Sequence, residues 1–463
     1  MSRLVVASNR VADLSAANRS GGLVVAVGEA LRQRGGIWFG WNGDVVDDDE
    51  PGEPVTTKHG RVTTVTVPFS RSEFENHYHG FSNSTLWPVF HYRLDLAEFV
   101  NEYLETYRQV NARFADEIGK LLQPDDILWV HDFHLIPLGS ELRERGCAQR
   151  IGFFLHIPFP PVEVLVATPE HEWLIDSLFE YDLVGFQTQT DLNNFRRYLL
   201  QTNDTSFLPH DRIVRRGREV TAKVFPIGID ADHFEEVARS PESDRIVESI
   251  RTRDPGLSLI IGVDRLDYSK GLPERFRAFQ RLLELHPELR HSVSMMQIAQ
   301  PTREDVDAYV DIREELERLT GAINGRFGNF DWTPVRYINR SVARDHLAAL
   351  FRASKIGLVT PVRDGMNLVA KEYVVAQDVE DPGVLVLSKF AGAAETLTEA
   401  LIVNPFDADE VATALHDALM MDKAERRERN EALRARVHEF DVFHWQRAFL
   451  NDLEKTRADH LLA

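Results

Sequence analysis

Leu259-Ile260-Ile261-Gly262-Val263, running directly into Asp264-Arg265-Leu266-Asp267-Tyr268-Ser269-Lys270-Gly271-Leu272-Pro273-Glu274, decides the fold. The short apolar run reads as a buried strand and the polar stretch as a loop. Pro273 marks the first turn of a helix, where its missing N–H costs nothing. This strand-loop-helix unit recurs. Strands are expected at Leu4–Ser8, Asp126–Val130, Ile151–Ile157, Asp182–Gln187 and Val220–Ile227, then at Leu259–Val263, Ser292–Ile298, Ile356–Val359 and Val384–Leu387. Helical patterns such as Leu23–Arg34, Leu96–Leu122, His171–Tyr181 and Thr190–Leu200 lie between them. Strands alternating with helices build parallel sheets covered on both faces. Two such series, parted after Pro226-Ile227-Gly228-Ile229, predict an α/β protein of two doubly wound domains, residues 1–238 and 239–463. The terminal helix, about 442–463, is a candidate to pack back on the first domain.

The 463 residues exceed what one core usually serves. A hydrophobic content of 43 % with 27 % charged residues is globular, not disordered. No run approaches the roughly 20 apolar residues a membrane crossing needs. One basic residue, Arg3, precedes the strand-like Leu4-Val5-Val6-Ala7-Ser8, which is too short for a signal-peptide core. The single cysteine, Cys147, excludes an internal disulfide, so a cytoplasmic protein is expected. A formal net charge of −20 argues against nucleic acid or an anionic membrane as partner. It leaves open a small phosphorylated ligand held by a few focused cations.

Several chemistries lack their signatures. No G-x-G-x-x-G, G-x-x-x-x-G-K-[ST] or G-x-S-x-G is present. His131, His134 and His156 lack a fourth ligand and helical spacing, so no metal and no cofactor is expected. The acidic run Asp47-Asp48-Asp49-Glu50, just before Pro51-Gly52, reads as a solvated loop. In open α/β sheets ligands bind beyond the carboxyl ends of strands. There, Arg265 and Lys270 suit a diphosphate, although a surface ion-pair loop fits them equally. Val359-Thr360-Pro361-Val362-Arg363-Asp364-Gly365-Met366-Asn367-Leu368-Val369-Ala370-Lys371-Glu372-Tyr373 is a second strand-loop-helix segment. A helix starting near Gly365 to Asn367 offers free N–H groups to an anion. Asp364 suits sugar hydroxyls or a plain helix cap, and Glu372 a ribose. Asp132, after Leu128-Trp129-Val130-His131, suits a hydroxyl or a turn cap, and His156 is a polar residue ending an apolar strand. Ser8-Asn9-Arg10 and the Gly21-Gly22 pair open the chain; Arg303 follows another strand, and Tyr78 and Trp87 lie in what reads as a polar-aromatic loop.

Together these segments resemble the trehalose-6-phosphate synthase family, retaining glucosyltransferases of GT-B fold, from Arg3-Leu4-Val5-Val6 to Ile402-Val403-Asn404-Pro405. The most specific stretches are Val263–Arg275, Pro361–Tyr373, Trp38-Phe39-Gly40-Trp41, Leu86-Trp87-Pro88 and Phe390-Ala391-Gly392-Ala393. The resemblance implies two Rossmann-like domains with the active site in the cleft between them, the first binding acceptor and the second nucleotide-sugar. It implies transfer of glucose from a nucleotide-glucose, UDP-glucose first, to glucose 6-phosphate, giving α,α-trehalose 6-phosphate. By resemblance Arg265 and Lys270 hold the donor diphosphate with Gly22, Glu372 holds the ribose, and the backbone of Leu368 and Val369 meets the nucleotide. Asp364 and His156 bind hydroxyls of the transferred glucose; with Arg265 and Lys270 they form the catalytic set. Arg10, Tyr78 and Arg303 match the acceptor-phosphate positions, with Trp87 and Asp132 framing the acceptor sugar. Val342 stands near the base where relatives often carry an aromatic, which bears on base choice. A homo-oligomer is implied as well. A sister transferase using glycerol 3-phosphate is the neighbouring alternative, and a non-catalytic sugar-phosphate sensor a more distant one. Without D-x-D-x-T, the chain is expected to carry no fused phosphatase.

Overall fold

The computed structural model describes residues 2–12, 22–49, 52–302 and 307–456. Among these the chain divides into two compact units, residues up to Pro226 together with those from Phe443, and Ile227–Val442. The boundary thus falls ahead of the 238/239 junction expected. Residues 227–238 join the second unit because Asp230 caps the helix Ala231–Ala238, whose Phe234 packs against Phe351 of that unit.

In the first unit a ten-stranded sheet runs, edge to edge, Val55–His59, Val62–Ser70, Gly36–Val46, Leu4–Arg10, Ile127–His131, Arg150–Phe154, Leu183–Phe186, Arg218–Val224, Arg212–Arg215, Thr205–Leu208. The seven inner strands are parallel, and the edges are antiparallel hairpins. Strand order reverses between Leu4–Arg10 and Ile127–His131, the place where ligands collect in such sheets. The helices Lys423–Glu439 and Val442–Lys455 resolve the long charged C-terminal pattern into separate pieces. The last packs on the first unit's sheet: Trp445 lies 4.9 Å from Trp129, and Phe449 stacks on the same indole at 4.8 Å.

The second unit holds a six-stranded, wholly parallel sheet ordered Val335–Ile338, Val293–Gln300, Ser258–Arg265, Ile356–Val359, Val384–Ser388, Leu401–Val403. Its reversal lies between Ser258–Arg265 and Ile356–Val359, so the two segments singled out by sequence leave adjacent strands. The helix Leu368–Ala376 presses close: a Cβ on Gly357 would sit 2.5 Å from the Tyr373 ring.

Tyr78 and Trp87 do not lie in a loop. Glu73–Leu86 is a wide-turned π-helix running into a short α-helix, Trp87–Phe90. Asn83 Nδ2 donates to the Tyr78 carbonyl and Ser84 Oγ to that of His79, both five residues back. The helix expected from Leu96 starts only at Asn101. Asp48 of the acidic run accepts from the Ser72 amide and hydroxyl, as a solvated loop does. Among the described residues no helix is long and apolar enough to cross a membrane.

Trp445 is 1 % exposed, so Trp445→Ala removes a fully packed indole. It is expected to lower unfolding free energy by about 3–5 kcal/mol, measured by guanidinium denaturation; a change below about 1 kcal/mol would contradict this packing.

Candidate active site

The strand Ser258–Arg265 ends at an exposed Arg265, and the chain turns through Tyr268–Lys270 into the helix Leu272–Leu285. Asp267, wholly buried, accepts the Ser269 amide at 2.9 Å and stiffens the turn. Gly271 has φ +62°, and a Cβ there would lie 2.4 Å from the Thr360 carbonyl oxygen, so no side chain fits. The neighbouring segment is laced to this turn, with the amides of Val362 and Arg363 donating to the Ser269 carbonyl at 2.9 and 3.2 Å.

Lys270 and Asp364 meet here. Lys270 Nζ donates to Asp364 Oδ2 at 2.6 Å, and Asn367 Nδ2 donates to the same oxygen at 3.1 Å. Asp364 does not cap the helix. Asn367 does, at φ 76°, its Oδ1 accepting the Ala370 amide at 3.1 Å, and the helix begins at Leu368. Leu368 and Val369 are therefore its first two residues, both half-buried. Glu372, one turn on, pairs with Arg344 at 3.3 Å. Burial pushes its carboxyl pKa up, and the Arg344 guanidinium opposes that. Lys371 points away, its Nζ donating to the Ile227 carbonyl at 2.7 Å; burial pushes its pKa down to about 7. Val342 is half-buried against Leu259, Met296 and Ile298.

Beneath the two loops lies Arg275, which the sequence reading did not single out. It is 1 % exposed, yet its guanidinium reaches two strands and the residue that follows a third: Asp264, Gln297 Oε1 at 2.8 Å and Thr360 Oγ1 at 3.0 Å. Burial raises the Asp264 carboxyl pKa, and Arg275 opposes the rise. Arg344 was missed too, since nothing in its spacing marks it as the partner of Glu372.

In the first unit, Arg10 ends its strand, its guanidinium 5.5 Å from the Trp41 ring. Trp41 lies 5.3 Å from Tyr78, and Tyr78 stacks on His134 at 6.1 Å. Trp87, 5 % exposed, packs between His91 and Phe133, so most of its indole belongs to the core. Asp132 has φ 76° and ψ 167°, a region that favours glycine, and its Oδ1 accepts the His156 amide at 3.2 Å. His131 Nδ1 lies 3.0 Å from His156 Nε2. His134 instead stacks on Tyr78 and packs at a tilt against Phe133, so the three histidines do not converge. Gly22 opens the helix Gly22–Arg34; Arg19, Ser20, Gly21 and Arg303 lie outside the described residues. Among the described residues, His286, Glu288 and His416 bring three ligand atoms within 4.8 Å of one another. The imidazoles of His286 and His416 stack face to face at 3.9 Å and 16°.

Arg275→Met leaves Asp264 buried without its counter-charge and is expected to destabilise by about 3–5 kcal/mol. Without Arg275 the folded chain holds the Asp264 proton to higher pH than the unfolded chain. The native state then binds more protons, stability falls as pH rises, and the deficit shrinks in acid. Denaturation at about pH 5 and about pH 8 checks this; equal deficits contradict it.

The family model of glycosyltransferase family 20 matches residues 3–455. A trehalose-6-phosphate synthase of Klebsiella pneumoniae subsp. pneumoniae is 48 % identical over 455 residues, covering 98 % of this chain and 95 % of that protein. An α,α-trehalose-phosphate synthase (UDP-forming) from Burkholderia xenovorans, solved in complex with glucose-6-phosphate, has TM-score 0.93 and 48 % identity, covering 98 % of this chain and 100 % of that one. A trehalose-6-phosphate structure from E. coli bound with UDP-2-fluoro glucose has TM-score 0.94 and 45 % identity, with coverage of 98 % and 100 %. With the fold, the paired loops and these likenesses agreeing over nearly its whole length, the chain belongs to glycosyltransferase family 20, the retaining glucosyltransferases of GT-B fold.

Proposed function

We propose that this chain transfers glucose, with retention at the anomeric carbon, from UDP-glucose to glucose 6-phosphate, making α,α-trehalose 6-phosphate and UDP. The observation that carries the reading is the Lys270–Asp364 contact at 2.6 Å, held on the buried Arg275 frame. Diphosphate and glucose are consecutive pieces of one donor, so a cation for the first and a carboxylate for the second belong side by side. Asp364 takes one of the three protons on Nζ, and the others serve phosphate oxygens.

In this reading Arg265, Lys270, Gly22 and the helix start at Leu368–Val369 bind the diphosphate and nucleotide. Glu372, paired with Arg344, accepts from the ribose hydroxyls, and Val342 borders the base. His156 and Asp364 meet hydroxyls of the transferred glucose. Arg10, Tyr78 and Arg303 grip the acceptor phosphate; Asp132 and the exposed edge of Trp87 frame its sugar. The acceptor hydroxyl attacks from the face the diphosphate leaves, and a departing phosphate oxygen takes its proton. No side chain has to act as nucleophile; the protein positions two substrates and stabilises the charge growing on the diphosphate. The UDP-2-fluoro glucose and glucose-6-phosphate complexes of relatives support this choice of donor and acceptor. Cytoplasmic residence, with one free cysteine, and assembly as a homo-oligomer belong to the same proposal.

Arg265→Ala and Lys270→Ala are each expected to lower turnover about 10²–10³-fold while leaving the melting temperature nearly unchanged. Steady-state kinetics and thermal unfolding check this, and near-normal turnover in both would sink the donor assignment. Arg303→Ala should raise the KM for glucose 6-phosphate far more than that for UDP-glucose; equal effects contradict its acceptor role. Supplying glycerol 3-phosphate in place of glucose 6-phosphate should give no product.

A further inference from the structure

His131 and His156 make an isolated pair of neutral imidazoles. Burial pushes the pKa of His156 down to about 3 and that of His131 well below its ordinary value. Their surroundings are aromatic. Trp129 lies 4.5 Å and Trp445 6.2 Å from His131; Phe154 lies 4.7 Å and Trp445 5.9 Å from His156. A neutral imidazole carries one ring proton, so in the 3.0 Å contact between His131 Nδ1 and His156 Nε2 one ring donates and the other accepts.

The far nitrogen of His131 decides which. His131 is wholly buried, and its Nε2 has no hydrogen-bond partner among the described residues. The polar atoms of the two indoles packed around it are donors only, so neither accepts a proton from Nε2. If His131 carried its proton on Nε2, that N–H would be buried with nothing to receive it. With the proton on Nδ1, the orphan is a bare lone pair, and orphaned buried N–H groups are the rarer of the two. We infer that His131 is the donor, and that it locks His156 in the tautomer protonated at Nδ1. His131 is thus a positioning residue. The half-buried His156 then presents to a ligand an edge that donates, suited to the oxygen of a sugar hydroxyl and not to its proton. That hydroxyl keeps its own proton for a separate acceptor. The consequence for the sugar rests on the role proposed for His156; the tautomer does not.

Two measurements test the inference. Long-range ¹H–¹⁵N spectra of protein labelled at histidine, with His156→Gln for assignment, should show His156 protonated at Nδ1 and bare at Nε2. Protonation at Nε2 in the unliganded protein overturns the inference. His131→Asn puts an amide N–H near the place of Nδ1 and should keep that signature; His131→Phe should lose it. The second measurement uses UDP-glucose analogues that each lack one sugar hydroxyl. Removing the hydroxyl that His156 meets should reduce kcat/KM about tenfold in the parent and in His131→Asn. In His131→Phe the same analogue should lose little more than UDP-glucose itself. Equal losses on every analogue would make His131 merely structural and overturn its positioning role. A His156→Ala variant with unchanged donor kinetics would instead defeat the sugar-binding role of His156, whatever its tautomer.

Discussion

Arg275 sits where solvent does not reach, and its guanidinium ties together three neighbouring chain segments of the second unit's sheet. Asp264 is the penultimate residue of one strand, Gln297 lies within the next, and Thr360 follows the third. A buried cation is tolerated only where its donors are met, and the planar fork of arginine meets several acceptors at once. The arrangement fixes the two loops that leave this face, because Asp264 immediately precedes Arg265 and Thr360 begins the segment leading to Asp364. The Arg275 guanidinium also approaches the Lys270 carbonyl, at 3.5 Å. Hydrophobic burial assembles the sheet, but it says nothing about loop placement to a few tenths of an ångström. The polar core beneath the loops does that.

The first unit uses backbone geometry for a similar end. Asp132 turns at φ 76°, and its carboxylate receives the His156 amide from the adjacent strand's end. Asn367, in the second unit, adopts the same φ and spends its side chain on two bonds, one to the helix start and one to Asp364. Asp132 sits just past its strand's end and Asn367 at the start of the next helix, each on the segment that follows a strand beside a sheet's reversal point. Strain of this kind persists only where the surroundings over-determine it. Here the surroundings are hydrogen bonds to the residues proposed to meet substrate.

What was legible in the sequence follows from what burial does to composition. Strands such as Ile127–His131 and Ile356–Val359 are covered on both faces and read as unbroken apolar runs. Gly36–Val46 escaped because its aromatics and glycines hide a central strand, and Val62–Ser70 because threonines interrupt it. The wide-turned helix Glu73–Leu86 has a turn wider than 3.6 residues, so its apolar side chains do not fall at the spacing that betrays an α-helix. Residues that reach outward past strand ends, Arg265, Lys270, Asp364 and Asp132, were legible as candidates. Their supports were not. Arg275 looks like any arginine on a helix, and only the fold shows it buried. His131 was weighed as a metal ligand and set aside, and nothing in its spacing marked the ring hydrogen bond it makes with His156.

The charges of the second unit show why an acidic chain can serve an anionic ligand. Lys270 already faces Asp364, Arg344 faces Glu372, and Arg275 faces Asp264. Each cation is held by a carboxylate at 12–19 % side-chain exposure or less, so none has to be ordered when a ligand arrives. The pairs nearly cancel, and the long-range field remains that of a protein of net charge −20. An anion therefore gains nothing at a distance beyond a Debye length of about 8 Å in physiological salt. In the proposed reading its affinity comes from short contacts: the remaining protons on Lys270, the guanidinium of Arg265, and the first amides of the helix at Leu368. Such contacts are strong only when geometry is right. That makes the buried guanidinium under the loops, more than the number of cations in them, the feature on which recognition turns.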